Sequence, residues 1–441
     1  MSDENILQGL NPADYFTLAM DQEIRNDGLA GSYGCFVLEL SQKPDIDSLQ
    51  ARILEFSQRF PVATASLQQQ GRRFYWFKRK TPPSLFFQHV NNREQADESF
   101  IHQTQLEIVN DRQNREELAP IEFHLIESKT RYVFLCRWIH PFCDARGADL
   151  ILQYLCTDDA EQRQKFGQPE SAPLVFQQLA RYRWWQKIGL LLKGKRYIDK
   201  LDSLKSIQAF NHHQPPERLN FSINRLSEEQ TRQITRNARK LVGLTGTSLY
   251  FIGCLMRALD KINPDSEGEA YCTPYAFNLR KQRALTPVTG NHVCALFAQA
   301  PRDIVRDRNK LFAHLKQQNM DVIRNQQDYA FLPLMWAGSW LSLSEYGKTL
   351  RLSYGSKEER SSFWFSDIGK IDAPARFMSS AITGIYHICQ VTSPPSLAFL
   401  TGIFQNRLTL SYNFVEPIIT QSQIETLQKR VVEELLTPPA D

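Results

Sequence analysis

The sequence has no run of about 18 apolar residues, so no segment is expected to cross a membrane as a helix. No G-x-G-x-x-G follows a strand pattern and no G-x-S-x-G elbow occurs, which argues against dinucleotide and serine-hydrolase chemistry. Gly189 to Lys195 does spell G-x-x-x-x-G-K. Arg196 follows it where a phosphate loop needs Ser or Thr, its interior is Leu-Leu-Leu-Lys, and no strand precedes it, so no nucleotide site is expected there. There is no Cys-x-x-Cys pair. Cys136, His140, Cys143 and Asp144 lie near one another, but their spacing matches no common zinc site and no metal is expected. Charge of one sign is lacking too: 52 basic against 48 acidic residues leave +4, too balanced to argue for nucleic acid. The first ten residues are acidic and poor in apolar side chains, unlike a secretion signal. Ser2 after Met1 excludes myristoylation, and no C-terminal Cys box is present. The eight cysteines sit mostly inside apolar runs (Cys35, Cys136, Cys254, Cys294) and are expected to be reduced core thiols of a cytoplasmic protein. No internal repeat or low-complexity segment is visible.

What is present is a globular composition. Of 441 residues, 42% are hydrophobic and 11% aromatic, enough for thick cores in two or three domains of about 150 residues each. Tyr33 to Leu40 reads as a strand approached through glycines. Asp45 or Asp47 then caps a helix to Phe60, with Leu49, Ile53 and Phe56 at helical spacing. Strands are expected near Val62–Leu67 and Phe74–Phe77, then a polar loop with one helix over 91–118. Two strands follow, Ile121–Ile126 and Tyr132–Trp138, then a helix at about Gly147–Leu155. From 157 to 215 the composition turns polar, then basic and aromatic, as an inter-domain connection would. The second half restarts with a strand at Leu219–Leu226 and a helix capped by Ser227 with Gln230, a capping-box spacing. An apolar helix from Thr247 to Ile262 comes next. Strands near Tyr271–Phe277, Val293–Gln299, Ser362–Ser366, Ile382–Gln390, Ser396–Phe404 and Leu408–Phe414 alternate with helices, and a helix over Thr420–Leu436 closes the chain. Strands mixed with helices in both halves define an α/β or α+β class.

The stretch from Trp138 to Ala148 (Trp-Ile-His-Pro-Phe-Cys-Asp-Ala-Arg-Gly-Ala) carries the chemistry. His140 emerges at a strand end, Asp144 follows four residues later, and a helix comes next. A strand–loop–helix junction is where rigid elements position a catalytic side chain. A histidine titrating near 6.5 suits proton transfer at neutral pH.

With these residues the chain resembles the chloramphenicol acetyltransferase-like acyltransferases, in particular the condensation domains of peptide synthetases and related stand-alone acyltransferases. Their signature is His-His-x-x-x-Asp-Gly after a strand. Its second His falls on His140 and its Asp on Asp144, while Ile139 replaces the first His and Ala145 the Gly. Ser227–Leu259 resembles the helix pair that opens the second half. Asn278-Leu-Arg280 followed by Gly290-Asn291 resembles an Asn-Leu-Arg … Gly-Asn segment, and Ser366-Asp-Ile-Gly-Lys-Ile371 a Ser-Asn-x-Gly element. The final strand and helix agree as well, so the likeness covers most of the chain.

The resemblance implies two α/β lobes, about 1–205 and 206–441, meeting in a V with a central tunnel, part of the second crossing over the first. It implies transfer of an acyl group from a thioester to a hydroxyl or amine acceptor, with His140 as general base and no covalent enzyme intermediate. No cofactor is expected; acyl-CoA or a phosphopantetheine-bound acyl group is the co-substrate, and any acyl carrier protein must act in trans. Asp144 is expected to form a structural ion pair with Arg280 rather than to orient His140. Asn291, Ser366, Asp367 and Gly369 are expected to shape the tunnel. Ala145 removes the φ > 0 freedom of a glycine. Together with Ile139 it leaves open a non-catalytic module that binds a carrier protein or a hydrophobic ligand.

The segment from Arg181 to Lys200 holds seven basic residues and one acid, with Trp184, Trp185, Ile188, Leu191 and Leu192 at helical spacing. It is compatible with a helix packed on the first lobe, with weak peripheral contact to an anionic membrane, or with docking of an acidic partner.

Overall fold

The structure is a computed structural model that describes residues 5–79, 87–92, 97–112, 119–164, 179–210, 213–243, 246–280, 287–325, 327–351 and 359–439. From the N-terminus these form β1 (Ile6–Gly9), α1 (Pro12–Asn26), β2 (Tyr33–Leu40), α2 (Ile46–Arg59), β3 (Ser66–Gln70), β4 (Arg73–Phe77) and β5 (Phe87–Asn91). Next come α3 (Asp97–Asn110), β6 (Ile121–Glu127), β7 (Tyr132–Ile139), α4 (Ala145–Cys156), α5 (Ala160–Gln164) and α6 (Trp184–Leu201). The second half runs β8 (Arg218–Arg225), α7 (Glu228–Val242), α8 (Thr247–Ile262), β9 (Ala270–Asn278), β10 (Val293–Pro301), α9 (Arg302–Arg306) and α10 (Arg308–Arg324). It ends with α11 (Gln327–Gly338), α12 (Leu343–Arg351), β11 (Trp364–Lys370), β12 (Arg376–Phe377), β13 (Ser380–Cys389), β14 (Leu397–Phe404), β15 (Arg407–Glu416) and α13 (Gln421–Leu436).

The chain gathers into two compact units. One comprises Met1–Gln177, Leu279–Val293 and Ile368–Gln390; the other comprises Gln178–Asn278, Cys294–Asp367 and Val391–Asp441. They do not coincide with the linear halves 1–205 and 206–441. The reason is β-pairing: β12 and β13, from late in the chain, complete the first unit's sheet.

That sheet has the order β12-β13-β2-β7-β6-β5. β13 lies antiparallel to β2 with Ile385 opposite Leu38 and His387 opposite Phe36, and only β5 runs parallel to its neighbour β6. β2 and β7 are apolar along nearly their whole length because both faces of the sheet are covered. On one face Phe56 of α2 meets Phe123 edge-on, Tyr154 of α4 packs edge-on against Phe56 and against Phe60 just past α2, and Phe123 stacks on Phe134 at 6.0 Å. On the other, Arg137 is fully buried over the Tyr33 ring, and its guanidinium donates to the Ile108 and Asp111 carbonyls of the α3 end. A strand expected from Val62 begins only at Ser66, since Pro61 fixes φ and starts a 3-10 turn over Pro61–Thr64.

The second unit has the sheet β11-β14-β15-β8 and the pair β9–β10. α7 starts with the reciprocal Ser227–Gln230 cap. α8 packs on α13, where the Tyr250 hydroxyl donates to the Leu435 carbonyl and Glu434 pairs with Arg257, Lys261 and Arg308. α6, expected to pack on the first lobe, belongs to this second unit instead, because Gly194 lets it lie closely against Ala330 and Leu334 of α11.

Candidate active site

β7 ends at Ile139, and the chain turns at once. The His140 amide donates to the Ser32 carbonyl at 2.9 Å and the Phe142 amide to the Ile139 carbonyl at 2.9 Å. The Trp138 indole N–H, lying over Gly34, donates to the Cys143 carbonyl at 3.0 Å. A Cβ on Gly34 would lie 2.4 Å from that ring, so the strand needs glycine there. Asp144 then caps α4 by accepting from the Gly147 amide at 2.8 Å. Ala145 occupies the first helical position and has no positive φ, so the missing motif glycine costs the turn nothing. The glycine that geometry does require is Gly147, because a Cβ there would meet the Val288 carbonyl oxygen at 2.4 Å.

That contact brings in the segment 287–292. Gly290, at φ +81°, donates its amide to the Phe142 carbonyl at 2.6 Å and bridges to Cys143. Asp144 meets Arg280 here. The Arg280 Nη1 donates to both carboxylate oxygens, at 2.9 and 2.7 Å, and the His292 amide adds a third donor at 2.7 Å. Burial works to raise the Asp144 pKa, but the Arg280 charge and its hydrogen bonds hold it down at about 2. Its oxygens are turned to Arg280, Gly147 and His292, so Asp144 is a clamp between two stretches of chain and not the orienting carboxylate of a His triad.

The group that does orient His140 is Asn291. Its side-chain Nδ2 donates to the His140 carbonyl at 2.8 Å and to Asp14 Oδ1 at 3.0 Å. The amide's remaining oxygen, Oδ1, faces His140 Nδ1 at 3.0 Å. An oxygen there only accepts, so Nδ1 carries the hydrogen and Nε2 keeps the lone pair. The imidazole is half-buried, and its pKa is lowered by burial. The arrangement is a neutral imidazole of fixed tautomer, able to take a proton on Nε2.

Behind Asn291 lies Asp14, in the first turn of α1. Asn11 caps that helix reciprocally: its Oδ1 accepts from the Ala13 and Asp14 amides, and Asp14 Oδ2 accepts from the Asn11 amide at 2.8 Å. Asp14 Oδ1 accepts from the Asn291 amide at 2.7 Å, and Asn11 Nδ2 donates to the Asn291 carbonyl at 3.1 Å. Burial nevertheless pushes the Asp14 carboxyl up to about 7. Asn11, Asp14 and His292 were not among the residues singled out from sequence. The Asn-Pro-Ala-Asp string, a helix cap with Pro at the first turn, is the signal that marks the first two. Nothing in the sequence marks His292.

Ser366, Asp367 and Gly369 lie on β11. Asp367 accepts from the Ser248 and Thr401 hydroxyls at 2.8 and 2.9 Å, and Gly369 has φ +73°. Asn291, expected to line a tunnel, is fully buried and spends its side chain on His140 and Asp14.

This architecture, a two-unit mixed α/β chain with a His at a strand end, is the chloramphenicol acetyltransferase-like fold of acyltransferases and condensation domains. A trichothecene 15-O-acetyltransferase from Fusarium sporotrichioides superposes with a TM-score of 0.72 at 12% identity, covering 99% of this chain and 96% of that one. The epimerization domain from the third module of tyrocidine synthetase B gives 0.62 at 13%, covering 99% and 98%. The starter condensation domain of rhizomide synthetase, in a complex with C8-CoA, gives 0.66 at 11%, covering 97% and 93%. No family model matches the sequence, and no curated protein matches it. Among the described residues no single helix is long and apolar enough to cross a membrane.

Proposed function

We propose that the chain is an acyltransferase that moves an acyl group from a thioester, acyl-CoA or an acyl carrier protein, to a hydroxyl or amine of a small acceptor. The observation that carries this is the tautomer of His140: Asn291 holds Nδ1–H and leaves Nε2 as base. The acceptor's O–H or N–H proton passes to Nε2 while its heteroatom attacks the thioester carbonyl. The tetrahedral intermediate collapses by breaking the C–S bond, and the imidazolium returns the proton to the departing thiolate. Burial lowers the His140 pKa, so the resting imidazole is neutral at physiological pH. General base catalysis supplies about 10²–10⁴-fold, and holding two substrates together supplies the rest. Asp144 and Arg280 keep the turn in place, and Ser366, Asp367 and Gly369 are assigned to the substrate path. An acetyltransferase and a C8-CoA complex among the structures of like fold support the thioester donor.

The test is a panel of acyl-CoA and carrier-bound thioesters with hydroxyl and amine acceptors, followed by release of free thiol. Acceptor-dependent release that His140→Ala lowers about a hundredfold or more supports the assignment. Near wild-type turnover in that variant rejects His140 as base, and thioester binding without turnover by the wild type identifies a binding module.

A further inference from the structure

Helix α6 has two apolar faces, and only one is used. Leu190, Gly194, Tyr197 and Leu201 are buried. Gly194 allows close approach to the Ala330 carbonyl and Leu334 of α11, Tyr197 packs edge-on against Phe331 at 5.6 Å, and its hydroxyl donates to the Phe297 carbonyl. The helix is therefore anchored in its unit without the opposite stripe. At 100° per residue, Trp184, Trp185, Ile188 and Leu192 fall together on that opposite side. They are 69%, 50%, 48% and 49% exposed.

Four of the seven tryptophans in the sequence are exposed, and all four lie on α6 or on and just beyond its packing partner α11, whose Trp336 and Trp340 are 43% and 56% exposed. Ordinary surface does not concentrate the largest apolar side chain in this way. Arg181, Arg183, Lys187, Lys193, Arg196 and Lys200 flank the α6 stripe, while Lys195 lies on it, paired at 2.7 Å with Asp199, the single acid between 181 and 200. Arg183, the cap residue before α6, lies over the Trp185 ring at 5.1 Å, and Lys187 closes the first turn, where a cation opposes the helix dipole.

We propose that α6 docks the protein on an anionic lipid surface, with Trp184, Trp185, Ile188 and Leu192 entering the headgroup–acyl boundary and the flanking cations pairing with acidic headgroups. The surface is a convex helix side. Tryptophan with a Lys and Arg rim is the chemistry of the membrane interface, where the ring sits at headgroup depth and long cations reach the phosphates. Contact of this kind is peripheral, reversible and weakened by salt.

The test uses the whole chain and needs no turnover, so it stands apart from the acyl-transfer assay. Wild type and Trp184→Ser/Trp185→Ser are compared for co-flotation with vesicles of phosphatidylcholine alone and of phosphatidylcholine with about one-third phosphatidylserine, at low and high salt. Tryptophan emission is recorded with and without a bromolipid quencher. Expected are binding to the anionic vesicles, bromolipid quenching, loss of binding at high salt, and binding about tenfold or more weaker in the double variant. The variant is checked for an unchanged thermal transition, since both positions are exposed. Wild-type protein that ignores anionic vesicles, or a double variant that binds them equally well, overturns the proposal. So does protection of the two tryptophans from aqueous quencher by an acidic acyl carrier protein but not by vesicles.

Discussion

Replacing Asp144 by alanine removes the carboxylate that joins the His140 turn to Arg280, and the cost can be worked from its partners. The two side chains are 3% and 2% exposed and meet at 2.7 Å, so the pair is buried and the truncation strips the guanidinium of its counter-charge. Breaking such a pair from one side costs about 3–5 kcal/mol. The same carboxylate caps α4 through the Gly147 amide, a contribution of about 1 kcal/mol within that range. Arg280→Met strands the charge from the other side and costs a similar amount. The double variant removes both charges together and is expected to lose no more than either single one, giving a coupling energy of about 3 kcal/mol. Urea unfolding of the four proteins, followed by tryptophan emission, measures this. Because the folded-state carboxyl titrates at about 2, below its ordinary 3.8, its contribution of about 2 kcal/mol is complete above pH 4 and is lost as pH falls toward 2. A coupling below about 0.5 kcal/mol, the value of an exposed pair, would refute the clamp. Equally damaging would be an Asp144→Ala protein of wild-type stability whose thioester turnover had collapsed.

Three further outcomes are expected. The acid limb of kcat/KM for acyl transfer lies below pH 6.5, because burial disfavours the His140 imidazolium; a limb at or above that value contradicts the site's electrostatics. Asp14, with its carboxyl raised to about 7, lends stability below pH 3.8 that disappears as pH rises through 7, so the difference in unfolding free energy between wild type and Asp14→Asn slopes across that interval, and a flat difference removes Asp14 from the argument. His387, buried in β13 with its pKa lowered to about 4, favours the folded state above pH 6.5 and loses that contribution as pH falls toward 4. His387→Phe should make the urea midpoint less acid-sensitive in that window, and an unchanged pH profile would count against it.

Features carried by neighbouring residues were legible in the sequence. The apolar run Tyr33 to Leu40, the helix over Thr247–Ile262 and the Ser227–Gln230 cap each rest on local pattern or a side chain reaching three residues along, and each forms where that pattern places it. The strand–turn–helix around His140 is legible for the same reason. What escaped is long-range. Asn291 was visible as a candidate but not as the partner of His140, because Gly147 and Gly290 must first let two distant stretches touch. α1 was missed although Asn11 and Asp14 cap it, and its place behind Asn291 depends on hydrogen bonds spanning more than 270 positions. The insertion of β13 beside β2 leaves no trace in either strand, since one apolar strand pairs as well with another.

The late arrival of β13 has a consequence for biosynthesis. A ribosome that has released Gln177 has delivered β2, β7, β6 and β5, yet the edge of β2 stays open until Cys389 emerges. At about 5–20 residues per second that interval lasts on the order of 10–40 s. Throughout it an apolar strand with unpaired amides and carbonyls is available to any other chain. Slowing translation lengthens this exposure, and stop codons placed before residue 380 should yield aggregates or chaperone-bound protein in place of a folded first unit.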